Sequence, residues 1–182
     1  MKKFLLIAIT SFALVNVGHA QNFITKNGKI SFFSKTSMEN ISAVNNQAVS
    51  VLNSKNGDLA FSVLVTGFLF KKALMQEHFN EEYMESDKYP KAGFKGNIAD
   101  ISKVNFKKDG SYPVSVSGDL TLHGVTNKVK VPGTITITSG KVAAAATFNI
   151  LVADYKISIS KMVENNISKS IEVKVDCNYD PN

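Results

Sequence analysis

The sequence predicts an all-β fold of antiparallel strands carrying one short helical insertion. Three observations predict it. Beyond the first twenty residues, most of the chain alternates apolar and polar side chains, as strands with one dry and one wet face do. Short glycine-bearing breaks separate these runs, as hairpins require. One stretch alone changes to helical spacing.

Taken in order, Phe32 and Phe33 lie on an early strand, and Asn56-Gly57-Asp58 then marks a tight turn. Leu59, Phe61, Val63 and Val65 follow, opposed by Ala60, Ser62, Leu64 and Thr66. Val65 to Phe70 is apolar on both parities, so part of it must face a second packing layer or a ligand. Between Lys72 and Met84, helical spacing places Leu74, Met75, His78, Phe79 and Tyr83 on one face, with Gln76, Glu77, Glu81 and Glu82 on the other. Pro90 and Gly93 close that helix, and a strand resumes near Ala92.

Asp109-Gly110 predicts a second tight hairpin, before a strand with Val114, Val116, Leu120 and Leu122 on one face. Val129, Val131, Ile135 and Ile137 share the dry face of the next strand, where Pro132-Gly133 predicts a bulge or a bend. Ser139-Gly140-Lys141 turns the chain into Val142, Phe148, Ile150 and Val152. Ala143 to Ala146 reads as close packing within that strand. A strand over 155–160, a weaker helical connection over Lys161 to Asn166, and a last strand through Ile171, Val173 and Val175 complete the pattern. Hairpin-linked strands of this kind build a sandwich or an up-and-down barrel, and alternation alone does not choose.

The first twenty residues read as a secretory leader, expected as a unit apart from a single domain over 21–182. Lys2 and Lys3 precede an apolar run from Phe4 to Val17, and Gly18-His19-Ala20 offers small residues at a cleavage site. Such a domain buries roughly 68–70% of its unfolded surface and needs no covalent staple. Cys177, the lone cysteine, is in phase with Ile171, Val173, Val175 and Tyr179 and reads as a small buried hydrophobe. The chain carries a formal charge of +6, every cation being lysine. Without arginine the bidentate readout of phosphates and bases is missing, which argues against nucleic acid as a partner. Scattered lysines suit a solvated surface that discourages strand-edge pairing.

Two stretches carry a family likeness. Gly118-Asp119-Leu120-Thr121-Leu122-His123-Gly124-Val125-Thr126 resembles the G-x-L-T-x-H-G-V-T signature of the YceI-like family of bacterial secreted proteins. Upstream, Phe79 to Phe94, containing Tyr83, Ser86 and Lys88-Tyr89-Pro90, is similar to that family's F…Y…S…K-Y-P…F segment. The resemblance implies a single antiparallel lipocalin-like β-barrel holding a long apolar isoprenoid, quinone-type or polyprenyl, in its interior. It implies a periplasmic carrier that does no chemistry itself, with any redox work left to the bound quinone or to a quinone-linked membrane partner. The lining would come from Phe32, Phe61, Val63, Phe68, Phe70, Leu74, Phe79, Phe94, Val116, Leu120 and Leu122.

Little in the residues themselves points to catalysis. His78 and His123 have no metal-ligand spacing, and no nucleophile elbow, phosphate loop or dinucleotide fingerprint is present. The expectation is therefore a binding protein with neither metal nor tightly built cofactor site. His123 leaves two readings open: a ring that bonds backbone carbonyls and pins its turn, or a contact to a ligand head group at the barrel mouth. The interior leaves two as well. Twelve phenylalanines and no tryptophan can fill a small barrel or line a cavity. A filled barrel would make this a structural or stress-response protein acting through its surface.

Overall fold

The computed structural model describes residues 22–181, so the leader expected over residues 1–20 lies outside the described residues. The chain runs β1 (Asn22–Lys35), β2 (Asn40–Asn53), β3 (Asp58–Leu64), β4 (Leu69–Phe70), α1 (Ala73–His78), β5 (Lys91–Ala99), β6 (Gly110–Leu122), β7 (Val125–Thr138), β8 (Lys141–Leu151) and β9 (Ser170–Pro181). Each long strand pairs antiparallel with the next, and β9 pairs back onto β1. The result is a closed, eight-stranded, up-and-down barrel, with β4 as a short rider on the outer edge of β2. Closure removes the sheet edges that alternation alone would leave open.

Inward side chains fill one end of this barrel. Leu52, Ile135, Ile137 and Val142 are almost wholly buried, with Cys177 and Tyr179 beside them. Phe23 stacks on Phe106 at 5.4 Å, while Ile101 and Val104 pack in from the β5–β6 connection and plug the end. Asp109-Gly110 is consequently not a tight hairpin. The connection is a longer loop, because Ile101 and Val104 must reach the core, and the Asp109 carboxylate accepts from the Ser139 N–H across the barrel rim. Ser139 and Gly140 do form the tight β7–β8 turn, both at positive φ.

At the other end the wall loosens. The β6–β7 register runs unbroken through Pro132 and Gly133, so no bulge forms there. Instead the β7–β8 ladder stops at Gly133, next to a proline with no N–H to donate. Two further expectations fail at this end. Residues 157–160 form no strand: the chain leaves β8 through a 3-10 turn, Val152–Tyr155, and a left-handed Lys156, and finds no partner strand. Lys161 to Asn166 forms successive turns and no helix. The apolar-on-both-parities stretch is likewise not one strand. A 3-10 turn, Val65–Gly67, rotates the chain, burying Val65 and Phe68 and leaving Leu69 exposed.

Candidate functional site

The loose end encloses a hollow of about 380 Å3 whose wall is almost entirely carbon. That volume lies within the range of ligand pockets, roughly 300–1,000 Å3. Its packing-free character shows in the strands themselves. On β7, Ile135 and Ile137 are buried, whereas Val129 and Val131, on the same face, are only half-buried where they line the hollow. Phe148 and Ile150 of β8 behave in the same way, while Val142 is buried.

Small residues set the boundary between the two ends. Gly133 pairs with Ala146, and both line the hollow together with Ala144 and Ala145. The alanine run therefore does more than pack: beyond Ala144 its missing side-chain volume is the space.

Aromatic rings build the wall on the insertion side. Phe32 of β1 lies 5.4 Å from Phe68, 5.7 Å from Phe70 and 5.3 Å from Phe79, measured between ring centres. Phe70 and Phe79 close the group at 5.0 Å. Such offset and edge-on pairs hold their rings without filling the space beside them. Farther round the wall, Phe61 and Phe94 meet edge-on at 6.5 Å. Phe94 needs unusual room. Its ring lies over Gly96 and Gly118, which pair across β5 and β6, and a Cβ on Gly118 would collide with the Phe94 ring at 2.7 Å. That is the physical use of the first glycine in the signature stretch.

The insertion itself departs from a plain helix. After α1 the chain continues as a π-helical turn, Phe79–Tyr83, where the Met84 N–H bonds the Phe79 carbonyl. At 100° per residue, a regular α-helix would put Met84 about 180° from Met75. The wider turn brings both to the hollow, along with His78, Phe79 and Tyr83, and leaves Glu81 and Glu82 exposed. Leu74 is 61% exposed and off the wall, at the flank of the first turn.

Ten of the expected lining residues thus stand around the hollow: Phe32, Phe61, Val63, Phe68, Phe70, Phe79, Phe94, Val116, Leu120 and Leu122. Leu74 and His123 do not. His123 sits at positive φ in the β6–β7 turn, its side chain 9% exposed. Its Nδ1 donates to the Tyr155 carbonyl at 3.1 Å, and its Nε2 lies 2.7 Å from a Glu85 carboxylate oxygen. Tyr89 packs edge-on against the imidazole at 4.8 Å and against Gly124, where any Cβ would strike its ring. Both ring nitrogens are therefore occupied, and no face is left for a ligand. The two signature stretches meet in this one clasp, which ties the insertion, the β6–β7 turn and the exit from β8 together.

Sequence reasoning missed the opposite wall. Val129, Val131, Phe148, Ile150, Val173 and Val175 line the hollow, as do Ile157, Ile159 and Val163 from the β8–β9 connection. Their alternation was visible, but nothing separated a side chain facing a void from one facing a core. Polar groups are few. Ser34 accepts from the Ser168 N–H at 2.8 Å, and Glu39 meets Lys72 at 3.3 Å. Among the described residues no cluster of His, Cys, Asp and Glu is placed to hold a metal ion.

A model of the YceI-like domain family matches residues 10–179. Among solved structures, a polyisoprenoid-binding domain of Saccharophagus degradans, implicated in plant cell wall breakdown, superposes with a TM-score of 0.78 at 14% identity, over 90% of this chain and 99% of that one. BcnA of Burkholderia cenocepacia superposes with a TM-score of 0.69 at 16% identity, over 84% of this chain and 96% of that one. The YceI protein of Campylobacter jejuni gives 0.54 at 13% identity, over 98% and 97%. At these identities the likeness is one of fold. No curated protein matches the chain.

Proposed function

The chain belongs to the YceI-like family, and we propose that it binds a long isoprenoid lipid, of the quinone or polyprenyl type, in the hollow half of its barrel. We further propose that it carries the lipid through the periplasm after export on its leader, exchanging it with a quinone-linked partner at the membrane. The observation that carries the reading is the hollow: about 380 Å3 walled by carbon, bounded by small residues on one side and phenylalanines on the other.

The energetics favour such an occupant. Burying a methylene is worth about 0.8 kcal/mol, so one five-carbon unit contributes about 3 kcal/mol. Ordering of a long flexible chain offsets part of that sum. A site of this kind needs few polar contacts, which agrees with the absence of a sharp polar motif. The filled-barrel alternative describes only the plugged end. The likeness to the polyisoprenoid-binding domain of Saccharophagus degradans supports the same choice of ligand class.

The test is mass spectrometry of organic extracts from protein purified without detergent out of the periplasm of its own host. One isoprenoid per chain is the expected result. Protein that emerges empty, and stays empty when isoprenoids are added back, refutes the reading.

A further inference from the structure

The mouth of the hollow has a chemistry of its own, and it selects among isoprenoids. Of the polar side chains that reach the hollow, Ser34, Glu39 and Asn166 are already engaged. Ser34 is bonded to the Ser168 N–H, and Glu39 to Lys72 and Asn166. His78 and Tyr83 are different. Both face the hollow from the insertion, and neither side chain forms a hydrogen bond among the described residues.

The π-helical turn is what sets this pair. In a regular α-helix two residues five apart diverge by about 140°. Here the i to i+5 closure carries Tyr83 round toward the side of His78. A phenol can donate or accept, and an imidazole in its neutral form offers one of each. Together they suit a hydroxyl or carbonyl oxygen.

Charge argues in the same direction. Among the described residues no lysine lines the hollow, and its one carboxylate is Glu39, paired with Lys72 at 3.3 Å. The exposed side of the insertion adds Glu77, Glu81 and Glu82. A diphosphate would bring its negative charges beside Glu39, where the one neighbouring ammonium, Lys72, is already engaged, and into an apolar lining that offers no ammonium of its own.

Resting on the isoprenoid reading above, we propose that His78 and Tyr83 form a head-group site for an uncharged, oxygen-bearing isoprenoid (a prenyl quinone, quinol or alcohol) and that the mouth discriminates against prenyl diphosphates. Three probes test it on the full mature chain: a prenol, the prenyl diphosphate of the same chain length, and a headless polyisoprene hydrocarbon. The prenol should bind at least about tenfold more tightly than the diphosphate, a difference of one factor of ten in Kd. Tyr83→Phe and His78→Leu should each weaken the prenol by roughly two- to tenfold, the worth of one net hydrogen bond, and leave the hydrocarbon unchanged. Glu39→Gln should narrow the gap to the diphosphate.

A diphosphate that binds as well as the prenol overturns the proposal. So do variants that weaken hydrocarbon and prenol equally, because His78 and Tyr83 would then be packing only. If none of the three probes binds the unaltered protein, the isoprenoid reading itself falls and takes the head-group site with it. Hydrocarbon binding with no preference for the prenol removes the head-group site alone.

Discussion

The two ends of the barrel are made from the same strands and the same alternation, yet they do opposite things. At the plugged end Ile137 and Val142 are at most 2% exposed and belong to the packed core cluster. At the open end Val129, Phe148 and Ile150 continue the same inward faces and meet space. The difference does not lie in hydrophobicity. It lies in what is brought to the centre: Phe23, Phe106, Ile101 and Val104 plug one end, while Gly133, Ala144 and Ala146 withhold volume from the other. One end supplies stability and the other is free to hold a ligand, so changes at the two ends should report on different properties.

The largest expected difference is in stability. Ile137→Ala leaves a cavity in a packed core and should cost about 2–5 kcal/mol. Ile150→Ala, the same chemical change at the open end, should cost about 1 kcal/mol or less in ligand-free protein, because the side chain already faces a void. Midpoints of denaturant unfolding, with unchanged slopes, measure both. Equal losses would mean that the open end is packed after all.

Adding volume inverts the comparison. Ala146→Phe places a ring where the wall is thinnest. In a packed core such an insertion costs about 1–3 kcal/mol, as Val142→Phe should show. At Ala146 the thermal midpoint should hold or rise, while isoprenoid capture weakens. If the ring displaces one five-carbon unit worth about 3 kcal/mol, the loss is roughly 100-fold in Kd. Undiminished capture would place the lipid elsewhere.

These contrasts also show what the sequence could and could not convey. Strand positions were legible because alternation is a backbone property, and ten of the lining residues that the family resemblance implied do stand around the hollow. The helical insertion was legible too, but Leu74, in the same regular turn as Met75 and His78, stands outside the hollow, and the π turn that brings Met84 in left no mark in the spacing. Residues 157–160 alternate as a strand would, and Ile157 and Ile159 do face the hollow, yet no neighbouring strand pairs with them. His123 stood out by its motif, and the motif proved to be a clasp whose partners, Glu85, Tyr89 and Tyr155, are remote in sequence. Hollow and filled ends were not separable, because Ile137 and Ile150 present the same alternating pattern. Only the whole set of residues that meets them across the barrel decides.

Alkaline titration gives a smaller effect, greatest at the plugged end, with burial raising Tyr83 and Tyr155 at the open end less. Burial pushes the Cys177 thiol from 9.0 up to about 11, and burial with the nearby Cys177 charge raises the Tyr179 phenol well above its ordinary 10.0. Tyr179 shares a 2.7 Å hydrogen bond with buried Ser50, which holds the ring in place. Unfolding returns both groups to ordinary values, so above pH 9 the folded state holds more protons than the unfolded one. Stability contributed by these groups is then complete below pH 9 and is lost as pH rises through the folded-state value near 11. The thermal midpoint should therefore fall on the alkaline side. Cys177→Ser, which removes the thiol while keeping the size, should flatten the part of that fall between pH 9 and 11. Tyr179→Phe should flatten the part from pH 10 upward, from a lower starting stability, because Ser50 loses its partner. Ile150→Ala, at the open end, should leave the shape of the curve untouched. If neither Cys177→Ser nor Tyr179→Phe flattens the alkaline limb, which Tyr83 and Tyr155 also feed, the plugged end does not hold its titrating groups out of water, and the contrast between the two ends loses its electrostatic support.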